Sequence, residues 1–169
     1  QLSMGYTENS SLNRIRSESR GFAGKRLIGY AESHDEERLM RKNIQYGNSS
    51  NSSHDVKNLN VSLSRMSAIG ALSLLVPGPK MIWHFGDLGM ETSLFTCEDG
   101  SIEQNDDCKL STKPQPQWSN NWLSIAQRKK IYDDWSRMIE LKKNNVVFRG
   151  NSSFSPNSSN PLIQRLYTV

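Results

Sequence analysis

His34 and Asp35 stand side by side where an apolar run, Leu27-Ile28-Gly29-Tyr30-Ala31, gives way to polar residues, and Arg38 follows three places after Asp35. An imidazole, a carboxylate and a guanidinium held together can bind a polar molecule and stabilise charge developing on it, and they do so best when fixed in advance. A second apolar run, Met81-Ile82-Trp83, ends in His84 and, three residues later, Asp87. Both runs read as buried strands, over 26–31 and 80–85, delivering side chains at their C-terminal ends, where the loops of a parallel barrel collect working residues. The same residues also allow plainer roles. Asp35 can cap a following helix, Arg38 can form a surface ion pair of small value with Glu36 or Glu37, and His84 can be a satisfied structural histidine. Trp83 reads as packing, and His54, in a Ser/Asn loop, receives no role.

The elements that would position these residues follow from periodicity. Residues 1–24 are polar, with no sustained apolar period, and 48–53 is an Asn/Ser tract with nothing to bury. From 55 to 76, Val56, Leu59, Leu63, Met66, Ile69 and Leu72 recur at helical spacing, widened by Ala68, Ala71 and Leu75. Pro77-Gly78-Pro79 ends that helix, because proline cannot continue the hydrogen-bond ladder and bars helical geometry just before it. Strand, helix and strand then form one right-handed crossover unit of a parallel sheet. Residues 89–117 form a long irregular excursion, whose natural place in a barrel enzyme is the wall of the cleft. Ser124-Ile125-Ala126-Gln127 fits a capping box, opening a helix with Ile131, Trp135, Met138 and Ile139 on one face and Tyr132 beside Trp135 in the core. Past Asn145, Val146-Val147-Phe148 and 161–169 have strand composition, separated by a Ser/Asn/Pro loop over 151–160. The expected core comprises Ile28, Tyr30, Leu63, Met66, Leu72, Met81, Ile82, Trp135 and Ile139.

The chain has 169 residues and a net charge of +4. Its bases are interleaved with acids instead of forming a stripe, which argues against a nucleic-acid partner. No apolar run approaches a membrane span. Cys97 and Cys108 lie in the polar excursion; a disulfide there would close a short loop, contribute on the order of 3 kcal/mol and imply an oxidising compartment, extracellular or periplasmic. Two free thiols, in a cytoplasmic protein, are the alternative, while a metal site lacks further Cys or His at ligand spacing. The Asn-x-Ser sequons at Asn9, Asn48, Asn51, Asn60, Asn151 and Asn157 are read as Asn/Ser enrichment.

The segment Ser33-His34-Asp35-Glu36-Glu37-Arg38 after an apolar strand resembles the seventh-strand motif of the alpha-amylase family, glycoside hydrolase family 13. Pro77-Gly78-Pro79, the following apolar strand and Gly86-Asp87-Leu88-Gly89 resemble its eighth strand. The finer likeness is to bacterial alpha-amylases and branching-enzyme-like proteins. The resemblance implies an α/β fold, a partial TIM (β/α)8 barrel over 1–145 with its seventh and eighth units. The start of a C-terminal β-sandwich would follow over 146–169. Such a barrel takes about 250 residues, so the chain, opening on Gln1, reads as a fragment of a longer enzyme. By the resemblance Asp35 is the catalytic transition-state stabiliser and His34 donates to the sugar, with Arg38, His84 and Asp87 as further substrate-binding residues. A second acid after Asp87, frequent in the family, is replaced here by Leu88. The nucleophile and acid/base belong to the fourth and fifth strands, outside this chain.

The implied activity is retaining hydrolysis of alpha-1,4-glucosidic bonds in starch- or glycogen-like substrates. A branching enzyme or other transglycosylase is one alternative, and a non-catalytic alpha-glucan-binding module another. No cofactor is expected in this segment; any calcium would belong to the rest of the parent. The partners expected are the alpha-glucan and the N-terminal part of the same barrel, with no nucleic acid and no membrane.

Overall fold

The computed structural model describes residues 1–8, 12–157 and 160–168. In chain order its elements are α1 (Leu39–Tyr46), α2 (Leu59–Leu74), α3 (Asp106–Leu110), α4 (Pro116–Ser119), α5 (Ala126–Asn144), β1 (Asn151–Asn157) and β2 (Asn160–Thr168), with short 3-10 turns between several of them. The sequon at Asn9 and the terminal Val169 lie outside the described residues.

The helix expected over 55–76 forms as α2. Asn58 caps it, its side-chain oxygen accepting from the amides of Asn60 and Val61 at 2.9 and 3.4 Å, which satisfies donors that lack an intrahelical partner. It stops at Leu74, shortly before Pro77. Helix α5 packs against it, burying Ile131 and Trp135 with Leu63, Met66 and Leu74 of α2 and Met40 of α1. Burying side chains of that size stabilises by about 1.5–3 kcal/mol each. The Trp135 indole N–H donates to the Met66 carbonyl at 2.8 Å, so its polar atom is not stranded in the core. Lys142, in the last turn of α5, donates to the carbonyls of Val76 and Gly78, tying the helix end to the turn before residue 80.

The two helices approach closely because α2 carries glycine at position 70: a Cβ there would meet Trp135 Nε1 at 2.3 Å. Gly70→Ala gains about 1 kcal/mol of helix propensity but overpacks the seam, a fault that costs about 1–3 kcal/mol. Net destabilisation of up to about 2 kcal/mol is the expected result in urea unfolding. A stabilised variant would mean that α5 moves aside freely.

The segments expected as strands near 26–31 and 80–85 lie side by side and parallel, but they touch through a single bridge, Gly29 with Lys80. Gly29 N donates to Pro79 O at 3.1 Å and Met81 N to Gly29 O at 3.0 Å. Ile28 and Tyr30, expected in the core, are instead 57% and 45% exposed. They alternate with Leu27 and Ala31 along an extended segment, and Tyr30 borders an open pocket with Leu39 of α1 and Ile69 and Leu72 of α2. Ile82 and Ile139 are partly buried and pack against the main core, and Leu72 and Met81 are partly buried as well.

Four local expectations are corrected. Ser124 makes no capping box: its hydroxyl donates to Asn121 O and closes a 3-10 turn, leaving Ile125 at the N-cap of α5 without a side-chain cap. Tyr132 is exposed, one step round the helix from Ile131. Residues 151–157, expected as loop, form β1, paired antiparallel with β2, with the register irregular between Ser155 and Asn157, at Pro156. Proline has no amide to give a ladder and is tolerated at such a break. Val146–Arg149 is a 3-10 turn instead of a strand.

Candidate functional site

The turn from 32 to 38 is built around two buried groups of opposite charge. Glu32, at the end of the first extended segment, accepts from Arg38 Nη1 at 3.3 Å through Oε1 and from Leu39 N at 2.9 Å through Oε2. Its carboxylate therefore caps α1, a favourable place for negative charge, and Asp35 does not. Burial pushes the Glu32 carboxyl above the usual range even though Arg38 pulls the other way. Gly86 is needed opposite: a Cβ there would come within 2.8 Å of Glu32 Oε1.

Arg38 is 4% exposed. Its Nη1 also donates to His84 O at 2.8 Å and its Nη2 lies 3.5 Å from His84 Nδ1. The surface pair with Glu36 or Glu37 is not what forms; Glu36 instead accepts from the Ser33 hydroxyl. Glu37 reaches the excursion after the second segment, accepting from Ser93 Oγ at 2.6 Å and Leu94 N at 2.8 Å, as well as from Arg38 N. Arg38 and Glu37 thus join the loop after residue 31 to the loop after residue 85 at two points.

Between those loops lies a pocket of about 240 Å³. His34, Arg38, Trp83 and His84 line one side, and Ser93, Leu94, Lys109, Leu110, Ser111 and Lys113 of the excursion line the other. The excursion is pinned by the Cys97–Cys108 disulfide and by Lys113, whose ammonium donates to Thr96 O at 2.8 Å and to Cys108 O. A disulfide persists where the surroundings are oxidising, and no described helix is long and apolar enough to cross a membrane. Glu103 lies close to both sulfurs, but sulfurs bonded to each other offer no thiolate to a metal.

Of the five residues expected at a site, His34, Arg38 and His84 line the pocket. Asp35 is beside it, its Oδ1 3.4 Å from His34 Nε2, and both side chains are about two-thirds exposed, free to meet a ligand. Asp87 does not line the pocket; it sits in the 3-10 turn Gly86–Leu88, where burial raises its carboxyl above the ordinary value. Glu32, Glu37 and Lys113 were missed by sequence reasoning. The signal for Glu32 was there: an acid at the end of an apolar strand, with an arginine six residues on to neutralise it.

His84 is held below the usual imidazole range by burial and by the Arg38 charge. Arg38 can only donate, so its approach to Nδ1 favours the neutral tautomer with the proton on Nε2. Just below pH 6.5, the ordinary value, the unfolded chain takes up a proton that folded His84 resists. Its contribution to stability is therefore complete above 6.5 and falls away as pH drops toward the folded value. Glu32, raised from 4.5, acts with the opposite sign in its own window. The difference between wild type and His84→Gln isolates the histidine: urea unfolding at stepped pH should show the variant's profile flatter below 6.5. Parallel profiles would show that His84 takes its proton as readily folded as unfolded.

No protein-family model matches the chain. No curated protein matches it either.

Proposed function

We propose that the chain is the C-terminal part of the catalytic barrel of an alpha-glucan-acting, retaining glycosidase of the alpha-amylase type, contributing the seventh and eighth strand units and the first hairpin of a C-terminal β domain. One observation carries the reading: His34 and His84, from two segments bridged in parallel at Gly29 and Lys80, line one pocket beyond the ends of both. That is where an open or closed parallel sheet binds its ligand.

Retaining cleavage needs a nucleophile and an acid/base about 5 Å apart around an oxocarbenium-like transition state. On this reading both come from strands earlier in the parent. The present chain supplies Asp35, whose negative charge stabilises the cationic sugar ring, and His34 and His84 as hydroxyl partners; the Arg38–Glu32 pair holds His84 in place. The disulfide fits a parent exported to the periplasm or the exterior.

The test compares two proteins. The 169-residue chain alone should release no reducing sugar from soluble starch, while the parent, with its upstream strands, should do so with retention at the anomeric carbon. Activity in the isolated chain overturns the assignment of roles. A parent that binds alpha-glucan without cleaving it leaves a binding module.

A further inference from the structure

The ring contacts do not stop at the pocket. His34 lies tilted against Trp83 with ring centroids 5.6 Å apart, His84 lies 4.4 Å from Phe85, and Phe85 meets Trp118 edge-on at 5.2 Å. Trp83 and His84 are neighbours in the chain, 6.4 Å between rings, so the row is continuous from His34 to Trp118. It begins in the pocket and ends outside it on α4, where Trp118 is 67% exposed.

Two features set Trp118 apart from an incidental surface aromatic. Its edge-on support by Phe85 fixes the indole while leaving most of its surface to solvent. Phe85 itself holds a left-handed backbone, φ 56°, a conformation that a non-glycine residue rarely adopts and that persists where the surroundings impose it. The hydrogen bonds of Leu88 N and Met90 N to Phe85 O lock that bend, which turns the ring out of the strand direction and toward Trp118.

The geometry points to Trp118, backed by Phe85, as a stacking platform for a sugar ring beyond the first two of a chain that already occupies the His34–His84 pocket. A pyranose suits such a row because it is amphipathic in the same sense: its axial C–H bonds make an apolar face that lies on an aromatic ring, while its equatorial hydroxyls remain for water or for polar neighbours such as the two histidines. Rigid aromatic surface of this kind supplies much of the affinity where it occurs. This rests on the alpha-glucan reading and adds to it a requirement on length: only an oligomer that spans from pocket to α4 should feel Trp118.

The experiment is isothermal titration of the 169-residue chain with maltose and with maltoheptaose, using wild type, Trp118→Ala and Trp118→Phe. Wild type should bind the heptaose more tightly than the disaccharide. Trp118→Ala should weaken heptaose binding about tenfold, the size of a single aromatic anchor, with maltose affinity unchanged and Trp118→Phe close to wild type. Circular dichroism should be the same for all three, since an indole this exposed holds no core. If wild type binds the heptaose and Trp118→Ala binds it equally well, the platform is refuted while the glucan reading stands. If wild type binds neither sugar, both fall together.

Discussion

In the alpha-glucan-acting parent proposed above, Asp35→Asn is expected to lower kcat by a hundredfold or more, about 3 kcal/mol of lost transition-state stabilisation, by analogy with removing one preorganised electrostatic group. The substitution keeps the shape and removes the charge. On the proposed reading that charge interacts most strongly with the cationic transition state, so kcat and kcat/KM should both fall, whereas a uniform binding contact would mainly raise KM. The structure makes the variant a clean one. The Asp35 side chain is about two-thirds exposed and its near partner is His34, itself exposed, and helix α1 is capped by Glu32 instead. Steady-state kinetics on soluble starch, with circular dichroism as the control for folding, decides it. A folded variant with near-wild-type kcat would make Asp35 structural and bring the binding-module reading forward.

Arg38→Ala should act on the fold itself, destabilising it by about 3–5 kcal/mol, the range for removing one partner of a buried ion pair. Three acceptors lose their donor together: the Glu32 carboxylate, the His84 carbonyl and the His84 ring. Glu32 would then be a buried carboxylate without its counter-charge, and it would be driven further toward the neutral form. The sign of the pH dependence follows. A glutamate whose folded value lies above 4.5 binds its proton more tightly when folded, so stability falls as pH rises through the window between the two values. Losing Arg38 widens that window upward. The gap between variant and wild type should therefore grow with rising pH, and Glu32→Gln in the Arg38→Ala background should recover part of the loss at neutral pH. Urea unfolding of the three proteins at acidic and neutral pH measures it. A loss below about 1 kcal/mol would place Arg38 among weak surface pairs.

What the sequence by itself determined is what depends on neighbours a few residues away. The stripe from Leu59 to Leu72 made α2 because apolar side chains at that spacing share one helix face, and Pro77 bounded it. Ile131, Trp135 and Met138 likewise announced α5, and Trp135 did take its place in the core. The polar ends of the two apolar runs marked His34 and His84, which meet at one pocket.

Tertiary structure decided everything that pairs distant residues. Arg38 had two acids beside it in the chain, yet it pairs with Glu32, because the turn from 32 to 38 folds back and burial rewards the acid that is also buried. Glu37 found its partners at Ser93 and Leu94, in a loop that local patterning left without form. Cys97 and Cys108 were open to several chemistries until the backbone brought their Cα atoms to 4.4 Å. Ile28 and Tyr30 show the limit most directly. Hydrophobic residues in a strand-like run say that a face can be buried, and only a neighbouring element decides how far it is; here both side chains stay about half exposed.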